Sequence, residues 1–429
     1  MFSLKKAAAG VLSCTMLLGS LVISGCSDSN TSGTQSTDNT SNGSSTAHQG
    51  EIKDISSVEL VKDMKIGWSL GNTLDGGNES NRGQDPGSIE KSWGNPDTTK
   101  EMIDEIKKAG FNVLRVPTTW DWSTGEAPEY KISDEWFARV KEIVDYGMEN
   151  DMYVILNIHH ETWHDPLEKN YEAASDRLKK IWTQIGNYFK DYDEHLIFEG
   201  LNEPRVRNSD EEWNGGSDAT REVVNKLDAD FVSTIRSLDG NNKLRHLMIP
   251  GYAASSSEVA LKALKIPEND DKLIVSVHAY IPYNFALADS KKSNKWVACK
   301  EGFTNDIDYL ADMLKTLFTD KGQAVIIGEF GARSKDNEKY RAEWAKYYVT
   351  KMKTVGVPCV WWDNGAFIGS GELFGLFDRR NLEWRYPLLK DALISASNGE
   401  YTVDGLKSDT AILDELKKDI AQSKNSSAE

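Results

Sequence analysis

The chain has 429 residues, 13 of them Trp, and a formal charge of −17 at pH 7. So acidic a chain is a poor partner for nucleic acid or an anionic lipid surface, and it suits an uncharged or cationic substrate. With the first fifty residues set aside, its length leaves room for two small domains or one large barrel.

Lys5 and Lys6 precede an apolar run from Ala7 to Ile23 that ends in Ser24-Gly25-Cys26. The run is too short, and too abruptly polar afterwards, for a stable membrane span, so residues 1–25 read as a secretory signal. Small residues directly before a Cys at the end of such a run resemble a bacterial lipobox. That resemblance implies cleavage before Cys26, lipidation of its thiol, and an exported protein held on the outer face of the cell membrane only by this anchor. An ordinary signal peptide with an incidental cysteine is the plainer alternative. Loss of Lys5 and Lys6 takes the formal charge to −19. Residues 26–50 are Ser, Thr, Asn, Gly, Asp and Gln after the cysteine, cannot bury enough surface to fold, and read as a flexible tether.

Of four cysteines, Cys14 falls in the signal, which leaves Cys299 and Cys359 in the body. No disulfide framework is indicated, and no Cys/His cluster has structural zinc spacing. Cys359 lies in the apolar run Val357 to Trp362 and is expected as a buried free thiol.

The body, residues 51–397, alternates short apolar runs with longer amphipathic ones. Strands are predicted at Lys65–Leu70, Phe111–Val116, Met152–Ile158, His195–Leu201, Leu244–Ile249, Lys272–Val277, Ala324–Gly328 and Val357–Trp362. Helices are predicted between them at Thr98–Lys108, stopped by Gly110, then Asp134–Glu149, Tyr171–Phe189, Thr220–Leu238, Glu258–Leu264, Asn305–Thr319, Glu338–Thr354 and Pro387–Ser395. Continuously apolar strands alternating with helices mean a parallel sheet covered on its outer face, and eight such units point to a (β/α)8 TIM barrel as a single catalytic domain. The rival, a doubly wound open sheet, lacks a Gly-rich phosphate fingerprint after its first strand. Residues 398–429 read as a polar tail with one short helix around Ile412 to Ile420.

In a barrel, function collects where strands meet the loops that follow them. The fourth predicted strand runs into Glu203 and the seventh into Glu329. A carboxylate there costs desolvation free energy unless something offsets it, and a single one is explained by an Arg partner or a helix cap. Two, at the ends of separate strands, match what glycoside hydrolysis with retention needs: one carboxyl group as proton donor and one as nucleophile, about 5 Å apart.

The run Leu196-Ile197-Phe198-Glu199-Gly200-Leu201-Asn202-Glu203-Pro204-Arg205 resembles the signature of glycoside hydrolase family 5. The runs Gly67 to Asp75 and Trp93-Gly94-Asn95-Pro96 are similar to the opening of its subfamily 4. The resemblance covers essentially the whole body. It implies that Glu203 is the general acid/base, that Glu329 is the nucleophile, and that Asn202 bonds the sugar 2-hydroxyl. It places His159 at the floor of the sugar site, His278 near the acid/base and Tyr280 against the nucleophile. Arg115, at the end of the second strand, would favour the charged form of a nucleophile opposite it. Asn72, His160, Trp362 and Asp363 complete the implied substrate contacts, with Trp362 stacked under the sugar at the cleavage point. Adjacent His159 and His160 could suggest a metal, but neighbouring strand residues point apart and no i,i+4 partner exists, so no metal and no cofactor is expected.

The expectation is therefore a monomeric endo-acting retaining hydrolase of β-1,4-glucosidic bonds in cellulose or related β-glucans, with Glu203 starting protonated because Glu329 lies beside it. One or two of the loop residues Trp120, Trp122, Trp163 and Trp213 are expected to line outer subsites. The same barrel acting on xyloglucan, xylan or mannan is one alternative. A tethered lipoprotein that binds glycans without cleaving them is another.

Overall fold

A computed structural model of the protein describes residues 48–289 and 293–413, all within the unit Ser45–Glu429. The signal, Cys26 and nearly all of the tether lie outside these residues, as does most of the helix expected around Ile412 to Ile420.

Eight parallel strands close into a barrel in chain order: β1 (Ile66–Leu70), β2 (Val113–Val116), β3 (Tyr153–Asn157), β4 (Leu196–Glu199), β5 (Leu247–Ser255), β6 (Leu273–His278), β7 (Ala324–Phe330) and β8 (Cys359–Asp363). Closure comes from β8 pairing with β1, where Gly67 faces Val360. The helices Asp134–Glu149 and Glu338–Thr354 keep the bounds expected of them. Local chemistry sets their ends. Ser133 caps the first of these by accepting from the Trp136 N–H, and Gly110 stops Lys100–Ala109 with a left-handed φ of 112° that only glycine adopts without strain.

Strand alternation sorts the side chains into two sets. Ile66, Trp68, Leu114, Leu156, Phe198, Val275, Val325 and Trp361 face the surrounding helices in the main core. Val113, Ile155, Ile197, Met248, Ile274, Ile326 and Val360 face inward and form an apolar layer in the barrel. One step further along the same strands, the inward positions turn polar: Ser69, Arg115, Asn157, Glu199 and Ser276, all essentially inaccessible to solvent. The barrel is thus apolar at its N-terminal end and polar just beneath the loops that follow the strands.

The helix Ser57–Asp63 had no counterpart in the expected pattern, being only 7 residues long. Its sequence signal was a capping box, in which Ser56 accepts from Glu59 N–H and the Glu59 side chain answers the Ser56 backbone. Leu60, Val61 and Met64 pack against the inward apolar layer, so this short helix plugs the N-terminal end of the barrel. Cys359 is a buried free thiol, as expected, and Cys299 is free and half-buried.

Candidate active site

The centre of the polar layer is the Arg115 guanidinium, fully buried at the end of β2. Its Nε donates to Glu199 Oε2 at 2.8 Å, one terminal nitrogen to Glu329 Oε1 at 2.7 Å, and the other to Asn202 Oδ1 at 2.7 Å. Glu199 was not singled out in the sequence. It ends β4, is fully buried, and also accepts from Asn157 Nδ2 at 2.9 Å and Ser276 Oγ at 2.7 Å. A buried carboxylate with three donors and a charged partner is satisfied, as burial requires.

Glu329 reaches this network through an irregularity in β7. Val277 pairs with Ile327, but His278 pairs with Glu329, so Gly328 is the extra residue of a bulge. Plain alternation from inward Ile326 would turn Glu329 outward; the bulge re-aims it into the barrel. Glycine is required there, because a Cβ would sit 2.8 Å from Ser276 Oγ and 3.2 Å from His278 Nε2. The second Glu329 oxygen accepts from the Tyr280 hydroxyl at 2.7 Å. Burial and the Glu329 charge together hold that phenol well above its ordinary value.

Glu203 lies in the loop after β4. Its Oε1 is 2.9 Å from His278 Nδ1, and its Oε2 accepts from Arg205 at 3.3 Å. His278 Nδ1 also stands 3.6 Å from Glu329 Oε2. Ligating atoms of Glu203, His278 and Glu329 all fall within 4.8 Å of one another, which brings the two carboxylates to the separation that retention needs. Burial pushes the Glu203 carboxyl up, but the His278 hydrogen bond and charge, aided by Arg205, outweigh it and hold Glu203 below the ordinary carboxylate range. Burial lowers His278, while the Glu329 charge and the Glu203 hydrogen bond outweigh that and raise it. Both directions favour the charged forms, Glu203 as carboxylate and His278 as imidazolium, so the proton expected on Glu203 has a second seat on His278 Nδ1, 2.9 Å away.

His159 is buried beside this pair, and burial holds it well below its ordinary value, hence neutral. Asn157 Nδ2 donates to its Nδ1 at 3.1 Å, which leaves the ring proton on Nε2. His160 does not point away from it, contrary to the strand-based expectation. The two rings meet edge to face at 4.4 Å, and both Nε2 atoms approach Asp75, at 3.9 and 3.8 Å. Alternation no longer applies there because β3 ends at Asn157. Burial pushes Asp75 up to about 6, against hydrogen bonds from the Thr73 and Asn72 N–H groups. Asn72 itself is half-buried in a left-handed turn, φ 55°.

Trp362 stacks on His159, with ring centroids 5.6 Å apart and planes within 7°. Its neighbour Trp361 is core, donating from Nε1 to the Phe374 carbonyl. Asp363 is not placed to touch a substrate. It is fully buried, and its oxygens accept from Trp68 Nε1 and the N–H groups of Gly365, Leu376 and Phe377, so it anchors the loop after β8 instead. Among the loop tryptophans, Trp120 is also core, tied by Nε1 to the Asn157 carbonyl. Trp122 and Trp163 are half-buried under Arg82 and Arg177. Trp213 is 60% exposed with Arg205 over its ring at 4.2 Å, and Trp93, 42% exposed, leans on His160 at 5.4 Å. These two are the most exposed indoles among the described residues.

The profile of the family described as Cellulase (glycosyl hydrolase family 5) matches residues 77–367. Endoglucanase B of Neocallimastix patriciarum is 49% identical over 347 residues, 80% of this chain and 72% of that protein. Endoglucanase A of Ruminococcus albus is 45% identical over 81% of this chain and 94% of its own length. A solved GH5-4 broad specificity endoglucanase from Ruminococcus champanellensis with bound cellotriose superposes with a TM-score of 0.77 at 43% identity, covering 80% of this chain and 99% of that one. A family 5 lichenase mutant from Caldicellulosiruptor sp. F32, solved with cellotetraose, gives 0.77 at 43% identity over 81% and 97%.

The Glu199→Ala substitution leaves Arg115, Asn157 and Ser276 donors buried without their acceptor. It should cost about 3–5 kcal/mol of stability in urea unfolding. A loss under about 1 kcal/mol, the level of an exposed pair, would contradict this account of the polar layer.

Proposed function

The chain belongs to the cellulase family of glycoside hydrolases, family 5, and from that premise we propose how its own residues cleave a glucan. The protein is a retaining endo-acting hydrolase of β-1,4-glucosidic bonds in β-glucans. The observation that carries the residue assignment is the pairing of Glu329 with Arg115 and Tyr280 within 4.8 Å of the Glu203–His278 pair.

A glucan bound across the barrel mouth rests one ring on Trp362, with Asn202 and His159 offering N–H donors to its hydroxyls. Glu329 attacks the anomeric carbon. The bond from that carbon to the leaving oxygen breaks, and Glu203 delivers a proton to the oxygen, the proton having crossed 2.9 Å from His278 Nδ1. In the second half, Glu203 takes a proton from water, the water oxygen attacks the same carbon, and the bond to Glu329 breaks. The first half leaves the pair without its proton and the second half restores it. One chain carries the whole site, so a monomer suffices.

The relatives described as broad in specificity, and the lichenase, favour a substrate range that includes mixed-linkage β-glucan as well as cellulose. Hydrolysis of a panel of soluble β-glucans, xyloglucan, xylan and mannan, read by reducing ends and product length, tests this. Products dominated by a single terminal sugar would overturn endo-action. We also propose that Cys26 is the lipidated residue that retains the exported enzyme at the outer membrane face, on the strength of the apolar run and the small residues before it.

Glu329→Gln is expected to abolish turnover while leaving cello-oligosaccharide binding within a fewfold of the parent, measured by calorimetry. Glu203→Ala with added azide should regain activity and yield a β-glycosyl azide; an α product by NMR would refute the stereochemistry. For pH, the depressed Glu203 group contributes stability lost as pH falls through its folded value, below about 4.3. The raised His278 group contributes stability lost as pH rises through its folded value, above about 6.5. The one-proton pair, and so kcat/KM, should be level between those limbs, and His278→Gln should move the alkaline one. Cys26→Ser should shift the enzyme from the membrane fraction to the soluble fraction of cells; an unchanged distribution would refute the anchor.

A further inference from the structure

The N-terminal end of the barrel gathers a second cluster that no spacing in the sequence reveals. Residues 48–50 run antiparallel to residues 191–193: the Asp193 N–H donates to the His48 carbonyl and the Gly50 N–H to the Asp191 carbonyl, each at 3.0 Å. This pairing sets His48 beside His195, with ring centroids 4.4 Å apart.

One carboxylate serves both rings. Asp193 Oδ2 lies 2.8 Å from His48 Nδ1, and Asp193 Oδ1 lies 3.1 Å from His195 Nδ1. A carboxylate only accepts, so each ring presents its proton at Nδ1 and, when neutral, a lone pair at Nε2. Both Nε2 atoms converge on Asp151 Oδ1, at 3.4 Å from His48 and 3.9 Å from His195. Two lone pairs facing an anion repel, and a cation bound among them would relieve that repulsion. The three atoms lie within 4.8 Å of one another. A tetrahedral zinc ion with bonds of about 2.0–2.1 Å spaces its ligand atoms roughly 3.3 Å apart, so the trio needs only a small contraction.

The parts are held in place independently of an ion. His195 stacks on Tyr153 at 4.8 Å and 19°. Asp151 sits in a left-handed turn, φ 52°, with its carbonyl fixed by Lys107 Nζ at 2.7 Å. Lys53, the next basic residue along the chain, is engaged by Glu194 at 2.7 Å. The cluster opens onto a groove of about 880 Å³, and the Asp151 side chain is 76% exposed, which leaves room for a water as fourth ligand.

We propose that His48 Nε2, His195 Nε2 and an Asp151 carboxylate oxygen bind a divalent transition-metal ion, zinc by chemistry, with Asp193 as the outer carboxylate that orients both imidazoles. Two imidazoles disfavour magnesium and calcium, which take oxygen ligands. The site lies before β3 and β4, whereas the glucan site lies after them, so the ion is structural: it staples residues 48–50, where the polar arm meets the barrel, to the turns that open those strands.

The full chain, stripped with a chelator and desalted at pH 7.5, is titrated with zinc by calorimetry and melted with and without it. The expected result is one saturable equivalent, a higher melting temperature, and no competition from magnesium or calcium. His48→Ala and Asp151→Ala, both at exposed or arm positions outside the barrel core, should each weaken binding at least tenfold. Absence of saturable binding at one equivalent overturns the site. Either variant binding zinc as tightly as the parent also overturns it, since the ion would then sit elsewhere.

Discussion

A guanidinium buried in the middle of a barrel must be neutralised where it stands, and Arg115 imposes that condition on two other strand ends. Its planar fork fixes the relative positions of Glu199, Glu329 and Asn202, which come from β4, β7 and the loop after β4. Two carboxylates against one cation leave an excess of negative charge, and Asn157, Ser276 and Tyr280 supply the neutral donors that make it tolerable. The position of Glu329 is therefore a property of the whole polar layer. Few substitutions within that layer can be local in effect, because each removes a partner from a group that water cannot reach.

Much of this was legible in the sequence because apolar strands that end in charged residues are costly and so informative. Two carboxylates, an Arg and a His-Ala-Tyr run at four strand ends were enough to place the site. What was not legible follows from parity. Glu199 sits one step before the expected strand's last residues, on the inward face with Ile197, where it reads as an interruption of the apolar run. Asp363 shares its outward face with Trp361, so alternation alone turns it away from the cleft and towards the loop it anchors. Glu329 shows the reverse: alternation would have sent it outward, and only the bulge at Gly328, invisible without the pairing register, brings it in.

The proton also belongs to a pair and not to a residue. With His278 within hydrogen-bonding distance of Glu203 and 3.6 Å from Glu329, the imidazole senses both carboxylates, and its charge follows the state of each. In the proposed mechanism the pair has given its proton to the leaving oxygen by the time Glu329 carries the sugar, which leaves Glu203 as the carboxylate that takes a proton from water.

The chain enters the barrel through residues 48–50, pinned beside the turn that opens β4, at the end that the helix Ser57–Asp63 seals. The catalytic cleft opens at the other end of the same strands. The residues that meet the polymer and residues 48–50 thus lie at opposite ends of the same strands. Anchorage and chemistry are separable in such a design: a change in how the chain is held at residues 48–50 leaves the polar layer at the far end of the strands untouched.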